Sequence, residues 1–257
     1  RIPFEQAEED FEELFQEFGP PNKTSVKYPF WYLYDTDGVW EVEDAENLPR
    51  RSGNGDKEPL VSAMREQNTR GWFTDEVWRA LRSRPQLRGE IAQMMLDKCF
   101  PETLHQDILD AVGLRADPVY ESSKRRPRDP GFRDHVLAAY NYRCAVCGFD
   151  LAINDKPVAL EAAHIKWHQY DGPDAVSNGL ALCALHHTMF DKGVIHVTPN
   201  LFLLVAEEVH GSPPHIDRLR ERHDSQIDPP SDSDYAPAEE HVRWHVKEVF
   251  RDSPYSD

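Results

Sequence analysis

The chain has 257 residues, 39% of them hydrophobic and 11% aromatic, which suits two domains with real cores and excludes global disorder. No stretch of about 18 apolar residues occurs, so no segment is expected to span a membrane. The formal net charge of −17 argues against wholesale attraction to nucleic acid, although a local basic patch can bind phosphate in an acidic protein.

The acidic start, RIPFEQAEEDFEELF, has neither the basic opening nor the apolar centre of a secretory signal, so a cytoplasmic location is expected. It begins on Arg1 rather than Met, as a truncated form would. Phe4, Ala7, Phe11, Leu14, Phe15 and Phe18 recur at steps of three and four, predicting a helix over 4–18 closed by Gly19-Pro20-Pro21. The aromatic run Tyr28 to Tyr34 and the segment Val39 to Val42, separated by Asp37-Gly38, predict two short strands and a turn. Residues 47–58 read as a polar loop. Thr74 can cap a helix over 75–83, Pro85 can start another reaching Cys99, and Glu102 to Val112 gives a third, closed by Gly113.

Residues 117–130 suit a linker, with Lys124, Arg125, Arg126 and Arg128 as a basic run that either follows a DNA backbone or is simply a solvated face. The expected organisation is therefore a recognition domain over 1–116, a basic linker over 117–130 and a second domain over 131–257. A helix from Phe132 to Tyr140 opens the second domain, residues 225–240 form a polar loop, and His241 to Phe250 is the last helix. The fold class is α+β, a mainly helical first domain with a small hairpin, followed by a metal-braced second domain.

Of the four cysteines, Cys144, Cys147 and Cys183 lie among histidines. Cys144-Ala-Val-Cys147 is one knuckle and Cys183-Ala-Leu-His186 another. Together they offer three thiolates and one imidazole, the tetrahedral set of a closed, structural Zn²⁺ site. The bland alternative is buried cysteine with no ligand. A disulfide framework does not suit a large chain without a secretory signal.

Between and after the knuckles stand Leu160-Glu161-Ala162-Ala163-His164-Ile165, then Ser177-Asn178-Gly179-Leu180-Ala181-Leu182-Cys183, then His186-His187-Thr188-Met189-Phe190-Asp191-Lys192-Gly193. This pattern resembles the HNH nuclease family, in which a β-hairpin and a helix grip one metal ion. The resemblance implies His164, Asn178 and His187 as the catalytic positions, with His186 left to the zinc. Neighbours on a helix point about 100° apart, so His186 and His187 can serve different ions. Neutral imidazole can take a proton from water near neutral pH, which suits His164 as general base. His187 would hold a divalent cation, Mg²⁺ or Mn²⁺. Asn178 cannot act as a base, but it can orient His164 or constrain the loop by hydrogen bonds. Many family members carry an acidic residue or histidine just before the base, whereas Ala163 stands here. A further metal ligand would then come from Glu161, Asp174 or Asp191, or from phosphate and water. For Asp191 a hydrogen bond at the helix end is an equal alternative, and His168 and His196 are taken as bystanders. A zinc-binding protein without catalysis is the alternative for the whole set.

In the first half, Tyr28-Pro29-Phe30-Trp31, Asp37-Gly38-Val39-Trp40, Arg70-Gly71-Trp72-Phe73 and the segment Phe100 to Leu109 resemble the sulfur-binding domain of phosphorothioate-dependent restriction endonucleases. Arg243-Trp244-His245 through Phe250 looks like the tail of those enzymes. The resemblance implies a double-stranded DNA partner carrying sulfur on a backbone phosphate. An apolar pocket favours sulfur, which is larger and less hydrated than oxygen. Tyr28 and Pro29 match the pocket wall, though an aromatic core strand is the other reading. Tyr32 stands where family members can have a small residue. The family's domain opens with a helix carrying a basic pair that contacts DNA; this chain starts after that point, so the pair is either cut off or different in this member. Arg70 is a phosphate contact or a surface turn residue. The alternatives are an HNH enzyme reading another modification or a plain sequence, or a DNA-binding zinc protein. Cutting both strands uses two HNH sites, so a homodimer is expected on DNA.

Overall fold

A computed structural model describes residues 1–19, 27–35, 38–50, 58–114 and 131–251. Two compact units part at Ile91 and Ala92. Among the described residues no helix is long and apolar enough to cross a membrane.

The first unit opens with β1 (Ile2–Pro3) and α1 (Phe4–Phe18), followed by α2 (Lys27–Asp35), β2 (Trp40–Val42), α3 (Val61–Glu66), β3 (Arg70–Phe73), α4 (Asp75–Ser83) and the start of α5 (Pro85–Cys99). The three strands form an antiparallel sheet in the order β1-β3-β2. The first helix occupies the span its apolar steps predict. Thr74 stands at the N-cap of α4, but its side chain makes no capping bond; its carbonyl accepts the Trp78 amide instead.

The aromatic run is the main departure. Residues 27–35 form a helix, not a strand, and β2 pairs with β3 rather than with the aromatic run. Phe30 and Trp31 are each 2% exposed and Tyr34 is half-buried, whereas Tyr32 and Leu33 face out. That is the one-sided burial of a helix, not the alternation of a strand. Pro29 sits in the first turn, where an absent N–H costs little. The helix delivers Phe30 to an edge-to-face contact with Phe4, centroids 5.2 Å apart, and another with Trp40 at 5.7 Å. Trp40 lies so close to Gly71 that a Cβ there would meet the indole at 2.3 Å.

The second unit holds the rest of α5, then α6 (Glu102–Ala111), α7 (Phe132–Ala139), β4 (Ala152–Ile153), β5 (Lys156–Pro157), β6 (Leu160–His164), β7 (Gly179–Cys183), α8 (Ala184–Asp191), β8 (Ile195–Val197), β9 (Phe202–Val205), α9 (His215–Arg220), β10 (Ser225–Gln226) and α10 (Glu239–Glu248). So α6, expected in the first domain, packs within the second unit. The expected linker falls largely on 115–130, outside the described residues. Residues 225–240 are not wholly irregular, since Ser225 and Gln226 pair with β9.

The core of this unit gathers Phe132, Val136 and Leu137 of α7, Leu160 and Ala163 of β6, Leu180 and Leu182 of β7, Phe190 of α8, and Ile195 and Val197 of β8. A second cluster joins Leu104 of α6, Trp167, and Val249 just after α10. Two of the buried histidines, His196 and His245, meet in the core. His245 Nε2 lies 3.1 Å from the Phe190 carbonyl oxygen, which can only accept, so Nε2 carries the hydrogen. Its Nδ1 is then the acceptor for His196 Nδ1–H at 3.0 Å. Burial pulls His196 down to about 4 and His245 well below its ordinary range, the latter helped by His196.

Both rings are therefore neutral in the fold and take protons when it opens. With the folded pKa of His196 depressed, its contribution is complete above about 6.5 and is lost as pH falls toward 4. Between pH 7 and 4 the wild type should lose about 3 kcal/mol more stability than His196→Asn, whose amide can donate the same bond without titrating. Urea unfolding at the two pH values measures this, and parallel pH profiles would contradict the burial argument.

Candidate active site and metal centre

Strands β6 and β7 pair in antiparallel register from Leu160 opposite Cys183 to His164 opposite Gly179. Helix α8 begins at the residue after Cys183. The pairing sets His164 at one end of the hairpin and the Cys183–His186 knuckle at the other. Gly179 is obligatory for close packing, because a Cβ there would meet Val136 Cγ2 at 2.4 Å.

At the knuckle end, ligand atoms of Cys144, Cys147, Cys183 and His186 all lie within 4.8 Å of one another. His186 Nδ1 is 3.2 Å from Cys183 Sγ and 3.6 Å from Cys144 Sγ. Burial opposes ionisation of Cys144, yet the His186 ring and the amides around it overcome that and bring the thiol down to about 6. Burial pushes Cys147 the other way, to about 12, and the nearby Cys144 adds to the shift. The three-sulfur, one-nitrogen set fits zinc, and these are the four residues the two knuckles predict.

At the other end, His164 Nε2 lies 2.8 Å from Asp174 Oδ1, and its ring stacks on Phe132 with centroids 4.1 Å apart. A hydrogen shared with a carboxylate fixes Nε2 as the protonated nitrogen of the neutral ring, which leaves the lone pair on Nδ1. His168 is not remote, since its Nε2 is 3.9 Å from the second Asp174 oxygen. Asn178 is fully buried and, among the described residues, its side chain bonds main chain. Its Oδ1 accepts the Lys166 amide at 2.8 Å, and its Nδ2 donates to the carbonyls of Lys166 and Pro173, each at 3.0 Å. It thus shapes the 165–178 loop that carries Asp174.

His187 sits between two carboxylates, with Nδ1 2.5 Å from Glu161 Oε2 and Nε2 3.2 Å from Asp191 Oδ2. Burial disfavours the charged ring, but Asp191 and Glu161 outweigh it and raise His187 to about 10. The hydrogen bond with His187 in turn holds Glu161 below its ordinary value. A proton on His187 therefore occupies the middle of a carboxylate-rich nest. The two carboxylates meet opposite ring nitrogens, and among the described residues the cysteine cluster is the one group of three or more such side chains close enough to hold an ion together. His164, His187, Glu161 and Asp191 line one cleft of about 470 Å³. Thr103 at the start of α6 lines it too, and its hydroxyl donates to Asp191 Oδ2. Sequence reasoning passed over Thr103, which lies 88 positions from its partner.

The other residues singled out from the sequence lie elsewhere. Tyr28 and Pro29 are in the first turns of α2, with the Tyr28 side chain outside the described residues and Pro29 half-buried. Arg70 is exposed on β3. Lys124, Arg125 and Arg126 lie outside the described residues.

Residues 1–117 match the family model of the ScoMcrA-like, DNA sulfur-binding domain, and residues 144–198 match that of the HNH endonuclease. Among curated proteins none matches. A solved structure of a modification-dependent TagI restriction endonuclease aligns at 23% identity and a TM-score of 0.38, over 57% of this chain and 44% of that one. The chain thus spans less than half the length of that enzyme. The two family matches thus lie in tandem, the first half of the chain similar to a ScoMcrA-like DNA sulfur-binding domain and a following segment similar to an HNH endonuclease.

Proposed function

We propose that this protein is a modification-dependent restriction endonuclease that binds phosphorothioated double-stranded DNA and hydrolyses a phosphodiester bond nearby. The observation that carries the reading is a single cleft lined by His164 and His187, within an HNH match, in a chain whose first 117 residues match a DNA sulfur-binding domain.

His164 acts as general base. Asp174 lies 2.8 Å from its Nε2, Phe132 supports the ring face, and the neutral imidazole would take a proton from the attacking water. Asn178 keeps the 165–178 loop in shape through its three main-chain bonds. His187 would hold the divalent cation, Mg²⁺ or Mn²⁺, with its other ligands from phosphate oxygens, water or one nearby carboxylate. When bound, that ion offsets the charge of the phosphate and stabilises the departing oxygen. Cys144, Cys147, Cys183 and His186 would hold a structural Zn²⁺ that fixes the start of α8, and with it His187. Tyr28 and Pro29 would serve the sulfur pocket, with Arg70, Lys124, Arg125 and Arg126 on the DNA backbone. Cleavage of both strands would use two copies of the chain.

Three outcomes are expected. Wild-type protein with Mn²⁺ should bind and cut a phosphorothioated duplex, leaving the matched oxygen duplex largely intact at the same salt; equal cutting of both would reject sulfur recognition. His164→Ala should reduce the cleavage rate by about 10²- to 10⁴-fold while retaining DNA binding in a gel-shift assay. A variant that still cuts at the wild-type rate removes His164 from the mechanism. Elemental analysis should find one zinc per chain, and Cys144→Ser should lower zinc content and melting temperature together. A zinc-free protein with unchanged melting temperature would leave the four ligands without that role.

A further inference from the structure

We infer that Thr103 is a positioning residue of the nuclease cleft, supplied by a helix that belongs, in sequence, to the sulfur-binding domain. The inference rests on the nuclease reading above and extends it to the residue that braces His187.

Helix α6 lies inside the span matched by the sulfur-binding family, yet it packs in the same compact unit as the hairpin and α8. Asp191 is only 2% exposed, and a carboxylate buried that deeply needs donors. Thr103 Oγ1 donates to Asp191 Oδ2, the same oxygen that lies 3.2 Å from His187 Nε2. The hydroxyl thereby fixes the carboxylate that fixes the imidazole. The rest of the junction is anchored in the same direction. Lys192, just past α8, pairs with Asp107 of α6 at 2.5 Å. Leu104 packs with Trp167 and Val249. The Phe100 carbonyl accepts from Gln169 at 2.9 Å, which links the α5–α6 turn to the loop carrying Asp174.

The α5–α6 turn and the start of α6 therefore touch both walls of the cleft. Through Gln169 the turn holds the loop beside His164, and through Thr103 the start of α6 holds the helix bearing His187. Such supporting bonds set the angle and basicity of a ligand without touching the substrate. The HNH match, residues 144–198, does not contain this part of its own cleft.

The test compares full-length wild type, Thr103→Val and Thr103→Ser. Valine keeps the branched shape and removes the donor; serine keeps the donor and removes the methyl. Thr103→Val should lower kcat by about 10- to 100-fold with KM for DNA within about twofold, and Thr103→Ser should recover most of the loss. In ¹⁵N-histidine NMR, the His187 ring signals should move in Thr103→Val and return toward wild type in Thr103→Ser. The NMR arm needs no cleavage, so a wild type that cuts no DNA would end the nuclease reading while the ring signals still decide the role of Thr103. Unmoved His187 signals in Thr103→Val, or serine and valine variants impaired alike, would overturn the inference.

Discussion

The register of one short hairpin governs the candidate site. With Leu160 opposite Cys183 and His164 opposite Gly179, the two ends of a five-residue pairing carry two different chemistries. A slip of one residue would turn the side chains of a strand to the other face, taking His164 from Asp174 and Glu161 from His187. The pairing is held by what lies behind it. Ala163, Leu180 and Leu182 are buried in the core, and Val136 sits where only glycine at 179 allows it. A zinc ion held by the cysteine cluster would add a second constraint, tying the end of β7 and the first turn of α8 to the 144–147 knuckle.

From that constraint follows the division between two adjacent histidines. His186 meets sulfur, and His187 meets oxygen. Each environment selects a different kind of partner, since soft thiolates with imidazole suit zinc, whereas carboxylates with imidazole suit harder divalent ions. The cleft shares the acidity of the whole chain, with Glu161, Asp174 and Asp191 near its histidines. In the proposed nuclease, a divalent cation held at His187 would offset part of that charge where a phosphate is to bind.

Local patterns were legible in the sequence; distant partnerships were not. Helices α1, α4, α5 and α6 could be read from apolar steps, capping positions and closing glycines, because each signal lies within the element itself. The two knuckles were legible for the same reason. The aromatic run 28–34 misled because its residues favour strands, while the burial of Phe30, Trp31 and Tyr34 on one helical face is settled by Phe4 and Trp40 elsewhere in the chain. Asp174, Glu161 and Asp191 were visible as carboxylates near the motif, but which histidine each would meet depended on the loop and the strand pairing. Thr103 had no local signal at all. His168 and His196, both set aside as bystanders, have different surroundings, the first beside Asp174 and the second in the core.

Asn178 and Gly179 form a dipeptide that is chemically fragile in a flexible chain. The amide nitrogen of the glycine can attack the asparagine side-chain carbonyl, closing a ring that opens to aspartate or its isomer. Here that carbonyl is occupied by the Lys166 amide, the side chain is wholly buried, and the glycine is locked into β7. The bonds that shape the loop beside His164 thus also shelter the chain from a slow ageing reaction at the centre of its own motif.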